Sequence, residues 1–158
     1  MISIRILGID YGERRTGIAI SDPSGRIAQG LEVINGGSRK TIPRICRIAQ
    51  EYGVKTIVVG FPINMDATVG FMAERTNVFI SALREYISDD TVDIVTLDER
   101  LTSAEAARTI KTIGKKPSSR EVREKGTLDV LAAAILLQSF LDKLNYTQSN
   151  KQEGEKCE

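Results

Sequence analysis

The sequence predicts one α/β domain built on a mixed five-stranded sheet with helices on both faces. Its 158 residues are the usual length of a single domain. The proportions of hydrophobic residues (41%) and charged residues (27%) are typical of a globular protein in water. Strand-like and helical patterns follow one another in the order βββ-α-β-α-β-α-α, and helices between single strands indicate right-handed crossovers to parallel neighbours.

The opening of the chain predicts a three-stranded antiparallel meander. The segments Ile2–Ile9, Thr16–Ser21 and Arg26–Ile34 each have the short apolar-rich pattern of a strand. The connection around Gly12 is short enough for a hairpin, and Asp22–Gly25 has the composition of a turn.

The rest of the chain predicts helices that alternate with two buried strands. A helix through Ile42–Tyr52 stops at Gly53 and is followed by the strand Thr56–Gly60. A second helix over Thr68–Ile87, with a stripe of Met72, Phe79, Leu83 and Tyr86, precedes the strand Val92–Leu97. The remaining predicted elements are a helix that opens at Thr102, a basic loop over Lys111–Arg123 and a last helix over Leu128–Leu144. We expect residues 1–144 to form the domain and the polar residues 145–158 to form a disordered tail.

The composition excludes several kinds of protein. The chain has no histidine, which excludes Ser-His-Asp and Cys-His catalysis and most zinc hydrolases. Its two cysteines, Cys46 and Cys157, lack the spacing of a disulfide framework or a zinc site. No apolar run reaches the roughly 18 residues of a membrane span, and no signal peptide is recognised. We therefore expect a protein of the reducing cytoplasm with no membrane partner.

Carboxylates stand at the ends of three predicted elements. Asp10 follows the first strand, Asp98 and Glu99 follow the last strand, and Asp129 lies in the first turn of the final helix. In open α/β sheets, ligands bind at the carboxyl ends of the strands, so we expect these side chains at one edge of the sheet. Clustered carboxylates resist ionisation unless a cation neutralises them. Oxygen ligands without histidine or cysteine favour Mg²⁺ or Mn²⁺, and two such ions about 4 Å apart are suited to phosphoryl transfer.

Each carboxylate also has an ordinary structural explanation. Asp129 is placed to interact favourably with a helix dipole, and Asp10 is placed to bond the backbone of a turn. Glu99 is adjacent to Arg100, with which it is able to form an ion pair, and we expect Asp98 to be structural. The prediction of a metal site therefore depends on the joint placement of Asp10, Glu99 and Asp129.

Four blocks of sequence together form a recognisable pattern. They are Gly8–Pro23 (GIDYGERRTGIAISDP), Val58–Asp66 (VVGFPINMD), Asp98–Ser103 (DERLTS) and Asp129–Ser139 (DVLAAAILLQS). In sequence and in order they resemble the YqgF/RuvX family of the RNase H-like superfamily, over about residues 4–142. The family's members are described as Holliday junction resolvases or as pre-16S rRNA nucleases.

The resemblance implies an RNase H-like fold and a specific role for each acidic position. By resemblance, Asp10, Glu99 and Asp129 are the metal-binding catalytic triad. The family is linked to trimming of the 5′ end of the precursor of the small-subunit ribosomal RNA, in the cytoplasm. The sequence departs from the family pattern at Phe61, where leucine is usual, and at Ala67, where glycine is common. We expect neither change to disturb the metal site.

Basic and amide side chains flank the predicted catalytic carboxylates, although the formal net charge of the whole chain is only +1. Guanidinium groups bind phosphates through paired hydrogen bonds, which suits a phosphodiester substrate. Loop lysines are equally explained as solvated surface, and an asparagine in a turn as a cap. The predicted substrate-binding residues are Arg14, Arg15, Asn64, Arg100, Lys115 and Lys116.

Several activities remain open from the sequence. The main hypothesis is a metal-dependent endonuclease that acts on structured RNA, with pre-16S rRNA favoured by the resemblance. The nearest alternative is cleavage of four-way DNA junctions, which calls for a homodimer rather than a monomer because two strands are cut symmetrically. An ATP-binding module is a third possibility, since Asp10 and Gly12 also resemble the phosphate turn of actin and sugar kinases, but a second domain is missing. A non-catalytic RNA-binding protein would not need all three acidic positions.

Overall fold

One five-stranded sheet organises the part of the chain that the computed structural model describes, namely residues 5–62, 69–98 and 126–154. The strands are β1 (Ile6–Asp10), β2 (Arg15–Ser21), β3 (Ala28–Asn35), β4 (Thr56–Phe61) and β5 (Asp93–Asp98), and the helices are α1 (Ser38–Tyr52), α2 (Phe71–Tyr86) and α3 (Gly126–Gly154). The order of strands across the sheet is β3-β2-β1-β4-β5. The helix predicted to open at Thr102 and the loop predicted over Lys111–Arg123 lie outside the described residues.

The pairing of the strands confirms the predicted mixed sheet. β2 runs antiparallel to both β1 and β3, while β4 runs parallel to β1 and to β5. Ile9 is aligned with Val59, and Phe61 is aligned with Asp98. The last residues of β1, β3, β4 and β5 therefore lie at one edge, here called the carboxyl edge of the sheet.

Apolar side chains on both faces of the sheet explain why helices cover both faces, as predicted. The core beneath α1 and α2 includes Leu7, Ile9, Ile18, Ile45, Ile57 and Phe79. The core beneath α3 includes Ile6, Ala19, Val58, Leu136 and Leu137. Removing each of these larger side chains from water contributes roughly 1.5–3 kcal/mol to folding. Within the described ranges, no helix combines the length and the apolar character that crossing a bilayer requires.

The first helix ends where the sequence predicted. Gly53 adopts the left-handed conformation, with φ of 64°, and its N–H group bonds to carbonyl oxygens of the last turn of α1. A residue with a Cβ atom is strained in this conformation, so glycine stops the helix efficiently. The chain then enters β4 directly, which places α1 and β4 in adjacent layers.

The predicted apolar stripe of α2 was wrong in part. The buried residues of the helix are Ala73, Thr76, Phe79, Ile80 and Leu83. The side chains of Met72 and Tyr86, which the sequence placed on one stripe with Phe79 and Leu83, are 45% and 56% exposed. The buried Thr76 hydroxyl donates to the carbonyl of Met72 at 2.9 Å, so this polar side chain is satisfied within the helix.

The last helix is longer than predicted. The sequence predicted its end at Leu144 and a disordered segment from Asn145, whereas α3 continues to Gly154. Small polar side chains bond back to the preceding turn, with the Thr147 hydroxyl donating to the carbonyl of Lys143 at 2.9 Å. Asn145 also reaches the carbonyl of Gly25 at 3.5 Å, which attaches this part of the helix to the turn before β3.

Candidate functional site

Two of the predicted carboxylates lie at the carboxyl edge of the sheet. Asp10 is the last residue of β1, and Asp98 is the last residue of β5. Both are half-buried, and each makes a polar contact. Only β4 separates these two strands, since it pairs in parallel with both of them. The register therefore brings the end of β5, which precedes Glu99 in the chain, to the same edge as Asp10.

Asp129 is brought to the same place by helix packing rather than by strand register. It lies in the first turn of α3, and its carbonyl oxygen would stand only 2.0 Å from a Cβ atom built on Gly17. Gly17 is the cross-strand partner of Asp10 in the β1–β2 ladder. The backbone of Asp129 therefore rests on the residue that pairs with Asp10.

Three glycines in adjacent strands form the surface on which α3 lies. Besides Gly17, a Cβ on Gly8 would meet Cβ of Leu137 at 2.7 Å, and a Cβ on Gly30 would meet Cγ1 of Val130 at 2.1 Å. Glycines inside strands often mark a close approach of another element. Gly8 and Gly17 belong to the sequence block that resembles the RuvX family. Their occurrence within predicted strands is the signal that would have indicated this packing.

An ion pair between β2 and α3 orients the carboxylate of Asp129. Nε of Arg15 donates a hydrogen bond to Oδ2 of Asp129 at 2.9 Å. The side chains are 37% and 27% exposed, so the pair is accessible to solvent. Arg14, the adjacent predicted substrate-binding residue, is exposed. The structure thus brings Arg15 onto a predicted metal ligand and leaves Arg14 at the surface.

The connection between β1 and β2 is attached to both helices on its face of the sheet. The ring of Tyr11 stacks on Phe79 of α2, with centroids 4.1 Å apart. Its hydroxyl lies 3.4 Å from that of Ser38 at the start of α1. Glu13 forms an ion pair with Arg75 of α2. These contacts fix the backbone immediately after Asp10, and the role of Tyr11 in them was not predicted from the sequence.

The other predicted site residues lie outside the described part of the chain. They are Asn64, Glu99, Arg100, Lys115 and Lys116. Within residues 5–62, 69–98 and 126–154, no three aspartate, glutamate or cysteine side chains are close enough to hold one metal ion. The predicted triad requires Glu99, so this observation leaves the triad a prediction.

A cavity of about 300 Å³ lies at the opposite edge of the sheet, away from the carboxylates. Its lining includes Val54 and Val92, which precede β4 and β5, and also Cys46, Lys55 and Asp89. Burial raises the pKa of the Cys46 thiol, which keeps the thiol protonated at neutral pH. We assign the candidate site to the carboxyl edge, because the aligned strand ends and the start of α3 meet there.

Comparisons with known proteins identify relatives along nearly the whole chain. The sequence profile of a family described as "RuvX: Holliday junction resolvase" matches residues 4–143. A protein of Acetivibrio thermocellus named "Putative pre-16S rRNA nuclease" is 47% identical over 141 residues, which cover 88% of this chain and 96% of that protein. A protein of the same name from Thermoanaerobacter pseudethanolicus is 43% identical, over 94% of this chain and all of its own length.

Solved structures with the same fold include two Holliday junction resolvases. RuvC of T. thermophilus in complex with a Holliday junction substrate matches with a TM-score of 0.54 and 14% identity, over 89% of this chain and 96% of that chain. The fowlpox virus Holliday junction resolvase matches with a TM-score of 0.50 and 16% identity, over 89% of this chain and 99% of its own. These likenesses confirm the predicted RNase H-like fold. The family profile and the similar relatives show that the chain belongs to the RuvX family.

Proposed function

We propose that this protein is a metal-dependent endonuclease that hydrolyses phosphodiester bonds near the 5′ end of pre-16S rRNA. The observation that carries the proposal is the packing of Asp129 on Gly17, the cross-strand partner of Asp10. This packing supports a shared site for two acidic groups that lie far apart in the sequence. Family membership supports the reaction class, and relatives more than 40% identical that are named for pre-16S rRNA support the substrate.

The donor set at the carboxyl edge fits a hard divalent cation. Asp10 and Asp129 offer oxygen atoms, and the chain has no histidine to favour zinc. We assign Asp10, Glu99 and Asp129 as the ligands of Mg²⁺ or Mn²⁺. When bound, one or two such ions would supply a nucleophilic water and stabilise charge on the phosphate.

The protein's own residues hold the reacting groups in position. The ion pair with Arg15 fixes one oxygen of Asp129, while Gly17 fixes the backbone from which that side chain extends. In the part of the chain that the structure describes, Arg15 bonds to Asp129 through Nε alone, so Arg14 and the Nη groups of Arg15 are available for phosphate oxygens. We also propose substrate contacts for the four residues assigned from the sequence outside the described ranges: Asn64, Arg100, Lys115 and Lys116.

Holliday junction resolution is a second candidate function, which the family description and the fold both favour. The matching family profile carries the description of a Holliday junction resolvase, and the fold is that of RuvC. Resolution requires two symmetric cuts and hence a homodimer, whereas trimming of pre-rRNA is possible for a monomer. For either activity we propose a nuclease domain of residues 1–144 that acts in the cytoplasm.

A cleavage assay distinguishes the two candidate functions. A pre-16S rRNA fragment and a four-way DNA junction are tested in parallel as substrates, with Mg²⁺ or Mn²⁺. We expect the RNA to be cut, and we expect Asp10→Asn and Asp129→Asn each to reduce the rate at least about 100-fold. Asp90→Asn is the matched control, since Asp90 is exposed before β5 at the other edge. Cleavage of the junction alone would favour the resolvase. Equal rates for Asp10→Asn and Asp90→Asn would overturn the catalytic assignment.

A further inference from the structure

The amino end of α1 adjoins the candidate site on one face of the sheet. β3 ends at Asn35, which is the cross-strand partner of Arg15. The next residue, Gly36, donates its N–H group to the carbonyl of Arg14 at 2.9 Å. The helix then begins at Ser38. The first turn of α1 is therefore attached to the connection that follows Asp10.

This corner of the molecule is positively charged. Arg14, Arg39 and Lys40 are all exposed, and the first turn of α1 contains no acidic residue. The N-cap residue Gly37 has no side chain with which to bond the amide groups of this turn, and a Cβ on Gly37 would meet no atom within 4 Å. The partial positive charge of a helix amino end thus adds to the three side-chain charges. We call Arg14, Arg39, Lys40 and the first turn of α1 the basic corner.

Two acidic residues close to the basic corner in the described part of the chain form ion pairs with other cations. Glu13, next to Arg14, forms an ion pair with Arg75 of α2. Glu32 of β3 binds Arg44, whose Nη2 atom lies 2.6 Å from Oε1. In the ranges that the structure describes, none of the three cations of the basic corner forms an ion pair with a carboxylate. Their charge is available to an external anion.

We propose that the basic corner binds the phosphodiester backbone of the substrate strand beside the phosphate that is cleaved. The inference rests on the proposed function for the identity of that strand. The whole chain has a formal net charge of only +1, so attraction of a polyanion depends on such local clusters. Because Nε of Arg15 is occupied by Asp129, we expect Arg14 and α1 to supply most of the contacts to the neighbouring phosphates. The basic corner contacts phosphates, so its binding should not depend on the base sequence.

The test is the salt dependence of binding by the double variant Arg39→Gln/Lys40→Gln of the full chain. A labelled single-stranded RNA is titrated in EDTA between 50 and 200 mM salt, so that binding is measured without metal-dependent cleavage. Loss of two phosphate contacts should reduce the slope of log K against log salt by about 1.4, at about 0.7 per contact. Glutamine preserves helix propensity, and circular dichroism verifies the fold.

The matched control is Arg84→Gln/Lys143→Gln, which removes the same charge from two exposed positions outside the corner. Arg84 donates to the carbonyl of Ile94 at the beginning of β5, and Lys143 lies far along α3. We expect this control to keep the wild-type slope, and a DNA strand of equal length to give the same difference between the variants. Equal slopes for the two double variants would overturn the proposal. So would equally strong, Arg39- and Lys40-dependent binding of polyglutamate.

The outcomes also separate this inference from the proposed function. If the wild-type protein cuts neither nucleic acid, but Arg39→Gln/Lys40→Gln alone weakens RNA binding, the nuclease proposal fails and the basic corner stands. If the protein cuts pre-16S rRNA and both double variants bind it equally, the nuclease proposal stands and the basic corner is wrong.

Discussion

Arg15 and Asp129 are 114 residues apart in the sequence, yet Nε of the arginine donates to Oδ2 of the aspartate at 2.9 Å. The contact joins the first residue of β2 to the first turn of α3. It gives a proposed metal ligand a cationic partner supplied by the protein itself. We therefore expect Arg15 to stabilise the carboxylate in the absence of metal and to compete with a divalent cation for it.

We predict opposite effects of Arg15→Gln on stability and on metal binding. Without metal, the free energy of unfolding should fall by no more than about 1 kcal/mol, because the pair is partly exposed. The rise in melting temperature on adding Mn²⁺ should become larger, because no cation competes for Asp129. Thermal unfolding with and without Mn²⁺ measures both. Arg15→Lys keeps the charge and should behave like the wild type, and identical metal responses in all three proteins would contradict the competition.

Gly17→Ala should displace the first turn of α3. The new methyl group would stand 2.0 Å from the carbonyl oxygen of Asp129, so the helix must shift or the strand must bend. We expect a loss of about 1–3 kcal/mol in the free energy of unfolding, as for other overpacked sites, and a parallel loss of RNA cleavage. Urea denaturation and a cleavage assay on the same preparation measure the two effects.

Gly37→Ala is the control for that substitution. A Cβ at Gly37 meets no atom within 4 Å, and its backbone φ of −83° suits any residue. Only a less favourable helix cap remains, which should reduce the free energy of unfolding by under about 1 kcal/mol. If Gly17→Ala were no more destabilising than Gly37→Ala, the close packing of α3 on β2 would be wrong.

Most of the fold could be predicted from local patterns. Strands that follow one another directly pair as a meander, and strands separated by helices pair in parallel. The arrangement of the strands in the sheet could therefore be predicted largely from the order of helices and strands along the chain. The face of α2 could not be predicted as well. Hydrophobicity ranks Met72 above Ala73 and Thr76, whereas the structure buries the two smaller residues and leaves Met72 exposed.

Only those parts of the candidate site that lie at the ends of strands could be predicted from the sequence. Asp10 and Asp98 end parallel strands, and their common edge follows from topology. The contact between Arg15 and Asp129 depends instead on the distance between α3 and the sheet. That distance is set by glycines on three different strands, and no single segment contains this information.

The stability of the protein should depend on Asp22 at low pH. The hydrogen bond from the Ile27 N–H group, followed by those from Ser24 and Arg26, holds the pKa of Asp22 well below its ordinary 3.8. A lowered pKa stabilises the fold above the unfolded value and loses that contribution as the pH falls towards the folded value. The stability advantage of wild type over Asp22→Asn should thus be constant above about pH 5 and shrink towards about pH 3. Urea titrations at several pH values measure it, and a difference independent of pH would contradict this role.

Gln138 of α3 should be needed to hold the first residue of the edge strand β3. Its Oε1 accepts the N–H group of Ala28 at 2.9 Å, and its Nε2 donates to the carbonyl of Arg26 at 2.9 Å. Gln138→Leu preserves much of the volume but removes both hydrogen bonds, which should reduce the free energy of unfolding by about 0.5–1.5 kcal/mol because water reaches these backbone groups. Hydrogen exchange of the Ala28 amide should accelerate accordingly, while Gln50→Leu, at an exposed position of α1, should leave it unchanged. Equal protection of Ala28 in both variants would show that pairing with β2 alone holds this end of the strand.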